Sequence, residues 1–111
     1  MTITTDTSQA NRADLMLVAL LSMEQVGRPR TRSQLEKELT RLVRDDHVGA
    51  FFQPYYRQAL LHRAVVETLA YLETNGYIQS DLAVTRPGSE RVERFADMRR
   101  DVDRALASVD S

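Results

Sequence analysis

The chain has 111 residues, no cysteine, 42% hydrophobic and 28% charged residues, and a net charge of −1. That length fits one domain with its own core, and the composition excludes collagen-like and fully disordered classes. Without cysteine there is no disulfide, thiolate metal site or cysteine nucleophile, and the longest apolar run, Leu15 to Leu21, is far short of a membrane span.

The first ten residues, MTITTDTSQA, read as a flexible lead-in to a single domain over 11–111. They carry acidic and hydroxyl residues where a signal peptide needs positive charge, which predicts a cytoplasmic protein. Asn11 can cap a helix running to about Gln25, in which RADLMLVALLSMEQV is apolar on nearly every face and therefore demands burial on more than one side. Gly27 and Pro29 end it. Thr31-x-x-Gln34 and Ser33-x-x-Glu36 both fit the capping box of a second helix, whose Leu35, Leu39, Leu42 and Val43 form one apolar face.

Residues 45–53 have no periodicity; Gly49 predicts a turn, and Phe51 and Phe52 predict anchors into the core. Pro54 suits a first helical position, so a third helix is predicted over 55–75, with Leu61, Val65, Leu69 and Leu72 on one face and Gly76 as its left-handed stop. Residues 77–79 and 82–84 are predicted as two short strands joined by Ser80 and Asp81. Thr85 then caps a last helix over 86–107, where Phe95, Met98, Val102, Ala105 and Val109 recur at steps of three and four between charged flanks. This seam either packs on its own domain or meets the first helix of a second copy through Leu15 and Val18, which predicts a homodimer.

Charge is unevenly placed. Residues 28–44 hold six cations (Arg28, Arg30, Arg32, Lys37, Arg41 and Arg44) against Glu36 and Glu38, a local charge of +4. No catalytic constellation accompanies them. His47 and His62 lack metal spacing, Asp45 and Asp46 are adjacent and would diverge if extended, no serine sits in a nucleophile elbow, and the glycines form no phosphate loop. The expectation is a non-enzyme without metal or cofactor.

The element order and two stretches carry a family resemblance. LAYLETNGYIQSDLAVTRPGSERVERF resembles the leucine-x-x-leucine, glycine, short hairpin, Thr-x-x-Gly and amphipathic helix of PadR, MarR and related winged-helix regulators. DLMLVALLSMEQVGRPRTRSQLEKEL is similar to the first two helices of the PadR group, and HRAVVETLAYLETNGYI resembles the N-terminal winged-helix domain of Mrr-type restriction proteins. Together these cover about residues 13–106. The connection over 45–53 is longer than in those families, and the hairpin tip, Gln79, Ser80 and Asp81, has no cation where their wings are often basic.

The resemblance implies a mainly α fold with a small β-hairpin, a winged helix-turn-helix with an extra C-terminal helix. It implies a DNA-binding transcriptional regulator, a homodimer reading a pseudo-palindromic site in double-stranded DNA. The third helix would enter the major groove with Tyr55, Tyr56, Arg57, Gln58, His62 and Arg63. Arg28, Arg30, Thr31, Arg32, Ser33 and Arg41 would hold phosphates, joined by Arg86 at the base of the hairpin. Many such regulators bind a small apolar effector between the first and last helices, where Met16, Met23 and Met98 are candidates. The alternative function is a protein-interaction module or subunit of a larger DNA-associated complex.

Overall fold

The computed structural model describes residues 4–46, 48, 49, 52 and 58–108. Helix α1 (Thr4–Gln25) is its axis. It begins ahead of Asn11, and no glycine or proline interrupts that added stretch. Residues 13–23 are each no more than 8% exposed, including Asp14 and Ser22. Four other helices of the same chain, α2 (Arg32–Arg44), α3 (Gln58–Thr74), α4 (Arg86–Arg91) and α5 (Ala96–Ser108), pack around α1 and supply that burial. A helix apolar on every side is thus satisfied within one copy. No helix among the described residues is long and apolar enough to cross a membrane.

Two glycines stop helices by the same device. At Gly27 (φ +80°) the amides of Gly27 and Arg28 reach back to Glu24 and Met23; at Gly76 (φ +77°) those of Gly76 and Tyr77 reach back to Glu73 and Leu72. A left-handed residue after the helix lets two amides close on the last carbonyls, and glycine adopts it without a Cβ penalty. Between α2 and α3, Asp45 ends α2 and its carboxylate accepts from the Val48 amide at 3.0 Å. Phe52 is fully buried, as expected of an anchor; Phe51 lies outside the described residues.

The β-hairpin expected at 77–84 is not a sheet. Among the described residues there are no strands, only an isolated antiparallel bridge between Ile78 and Val84. The fold is helical, and the winged assignment is corrected accordingly. The cause is length: Gly76 closes α3 and Thr85 caps α4, leaving eight residues, of which the middle ones turn. The Leu82 amide donates to the Gln79 carbonyl and the Ala83 amide to the Asp81 carboxylate, so too few residues remain to build a ladder, and no third strand supports the pair.

The Thr85-x-x-Gly88 motif has a structural use. Thr85 Oγ1 accepts from the Gly88 amide at 3.3 Å and donates to the Gly76 carbonyl at 2.6 Å, pinning the start of α4 to the end of α3. A Cβ on Gly88 would collide with the Tyr77 carbonyl and the Val84 side chain. Gly88→Ala is therefore expected to destabilise the protein by about 1–3 kcal/mol, measured by urea unfolding, since backbone must move to admit the methyl group. The last predicted helix is also divided: after α4 the chain bends at buried Val92, makes a 3-10 turn (Glu93–Phe95), and continues as α5 along α1.

Candidate nucleic-acid interface

Helix α2 begins where its cap chemistry dictates. Thr31 Oγ1 accepts from the Gln34 amide at 3.1 Å, so Thr31 is the cap and Ser33 lies inside the helix. Leu35, Glu38, Leu39 and Leu42 face inward. Ser33, Lys37, Arg41 and Arg44, at i, i+4, i+8 and i+11, form an exposed stripe on the other side.

The six cations of 28–44 divide into two sets. Glu38, fully buried on the inner face of α2, accepts from Gln34 Nε2 at 2.6 Å and Arg41 Nη1 at 3.4 Å, and lies 3.6 Å from Arg28 Nε. Arg28 also donates to the Leu106 carbonyl at 3.0 Å, tying the loop before α2 to the end of α5. Arg30 pairs with Glu24 at 2.9 Å. Arg28, Arg30 and Arg41 are thus engaged within the fold. Arg32, Lys37 and Arg44 are exposed and make no ion pair among the described residues.

On α3, Gln58 is the first helical residue, while Tyr55, Tyr56 and Arg57 lie outside the described residues, as does His47. His62 Nδ1 lies 2.8 Å from Glu36 Oε2, which joins the second turn of α3 to the middle of α2. Arg63 pairs with Glu67 at 3.1 Å, and Arg86, on α4, with Glu90 at 3.2 Å; both pairs are exposed and span one helical turn. From His62 and Arg63 the outer face of α3 proceeds to Val66, Glu67, Ala70 and Glu73, so its positive charge lies toward its N-terminal end, which meets the middle of α2 through His62 and Glu36.

The seam and effector residues lie elsewhere. Leu15, Val18, Val102 and Ala105 are buried within one copy, Phe95 and Met98 are half-buried against the same core, and Val109 lies outside the described residues. An aspartate at Val102 would consequently probe folding rather than dimerisation. Met16 and Met23 are fully buried and fill the core around α1.

Sequence reasoning left three features unassigned. Lys37 and Arg44 were counted in the local charge but not as contacts; the helical period alone places them on the stripe with Ser33 and Arg41. Glu38 adjoins Leu39 on the apolar face, and a carboxylate there signals a buried partner. The third is Asp14, 2% exposed on α1, bound by Arg91 of α4 at 2.7 Å and flanked by Arg94 at 3.8 Å. Arg91 also stacks over the rings of Tyr77 at 4.8 Å and Tyr71 at 5.8 Å. Burial pulls its guanidinium toward losing its proton, but interactions with Tyr71 and Asp14 outweigh this and hold its pKa above the usual arginine value.

The fold and this surface together define a small helical protein with an exposed cationic stripe on α2. Comparison with protein-family models, curated proteins and solved structures found no match.

Proposed function

We propose that this protein is a DNA-binding transcriptional regulator in which α2 holds phosphates through Arg32, Lys37 and Arg44 and the N-terminal end of α3 approaches the major groove. The observation that carries this reading is the exposure of those three cations, unpaired among the described residues, on a helix whose middle meets α3 through Glu36 and His62. A helix with neutralising cations on its solvent face gains affinity for a polyanion by releasing counterions. The resemblance of the first two helices to the PadR group supports the same reading. Reading a pseudo-palindrome takes two copies, and their seam would use surface outside the faces of α1 and α5 that the single chain already buries.

A mobility-shift titration against genomic fragments tests the proposal. A complex is expected below about 10 µM at low salt, and its absence there would sink the idea. Lys37→Ala and Arg44→Ala are each expected to reduce the slope of log affinity against log salt by about one, equally for all sequences. Arg32→Glu is expected to weaken binding more than Arg30→Glu, because Glu24 already holds Arg30.

A further inference from the structure

An open cleft of about 550 Å³ lies between the loop before α2, the outer face of α3 and the turn at 80–82. Its apolar lining comes from Val66, Leu69, Ala70 and Leu82. Arg30 and Arg32 contribute positive charge from the loop and first turn of α2, while Glu73 and Asp81 contribute negative charge from the end of α3 and the following turn. Neither Arg32 nor Glu73 makes an ion pair among the described residues.

Two observations single this cleft out. Val66, 37% exposed, is the one large apolar side chain standing open to solvent among the residues whose side chains are described, and it lines the cleft. Leu82, at φ 68°, is the one non-glycine residue in the left-handed region among them. Leucine is strained there, whereas asparagine or glycine would take the same turn more easily. The leucine side chain partly covers the core and lines the cleft. Strain is thus retained where an apolar wall is formed.

We propose that this cleft docks an extended segment of a partner protein, with apolar side chains at its centre, an acidic residue toward Arg32, and a basic residue toward Glu73 and Asp81. Charge complementarity sets the polarity of the occupant. From Val66 to Glu73 the helix rises about 10 Å, the reach of roughly three extended residues. Nucleic acid does not suit the surface, since phosphates would meet Glu73 and Asp81 over an apolar lining. The cleft shares Arg32 with the proposed phosphate-holding set, while its apolar lining, Glu73 and Asp81 lie outside that set.

The test is fluorescence anisotropy of a dye-labelled Glu-Leu-Val-Lys peptide with both ends blocked, titrated with the full chain in the absence of DNA. Saturable binding is expected in the range of about 10–300 µM, as suits so small a contact. Glu-Ala-Ala-Lys and Glu-Leu-Val-Glu peptides are expected to bind at least about tenfold more weakly. Leu82→Asn, which keeps the left-handed turn, should likewise weaken binding about tenfold with an unchanged circular-dichroism spectrum, and Arg32→Glu provides a second variant on an exposed side chain. No saturable signal up to about 1 mM, or equal affinity for all three peptides, overturns the proposal. Unchanged binding by folded Leu82→Asn and Arg32→Glu does the same.

Discussion

Replacing Arg91 with alanine is expected to lower the melting temperature by about 12 °C or more, the consequence of leaving Asp14 charged, buried and without its main partner. Asp14 is 2% exposed in the middle of α1, and Arg91 binds it at 2.7 Å while covering Tyr77 and Tyr71. Arg94 is too exposed and, at 3.8 Å, too distant to replace that bond. Removing one member of a buried pair typically costs about 3–5 kcal/mol, because the remaining charge has neither water nor a counter-ion. In a small domain each kcal/mol is worth about 4 °C or more. The double variant Asp14→Leu with Arg91→Met should recover much of the loss, since matched apolar groups often replace a buried ion pair without penalty. Thermal unfolding by differential scanning calorimetry decides it; an Arg91→Ala protein within about 1 kcal/mol of the parent would refute the assignment.

The second large effect is expected at Glu38. Glu38→Ala should destabilise the fold by about 2–4 kcal/mol in urea unfolding, because Gln34 and the half-buried Arg28 lose their shared acceptor and a cavity opens under α2. Arg28 keeps its bond to the Leu106 carbonyl, and Arg41 can turn to solvent, which holds the cost below that of the Asp14 site. Glu38→Gln preserves the shape and an acceptor oxygen, so it should cost less than the alanine variant. Equal losses for the two would show that charge rather than packing matters at this position.

Much of the helical frame was legible beforehand. The stop at Gly27, the Thr31 cap, the apolar face of α2, the stop at Gly76 and the Thr85 cap all follow from residues within a few positions of one another. Local hydrogen bonds and a 3.6-residue period suffice to specify them. The hairpin failed because alternation over three residues on each side is too short a signal to distinguish strands from a turn. The division of the last helix at Val92 was invisible, since Thr85 and an unbroken charged pattern predict continuity; only the need to bury Val92 and carry α5 over α1 bends the chain. The candidate DNA surface was half legible. The charge excess on 28–44 was read correctly as a count, but the count did not say which cations had partners.

That distinction marks the division between sequence and tertiary structure in this protein. Composition and periodicity determined four helix boundaries, an apolar α1 that had to be enclosed, and a concentration of positive charge around α2, because each depends on neighbours in the chain. Tertiary packing alone decided that α1 would be enclosed by its own chain, that Glu38 would engage Arg28, and that Arg91 would cross to Asp14, 77 residues away. Burial raises the cost of an unpaired charge, so long-range contacts in the folded chain select which ions are structural and which remain on the surface.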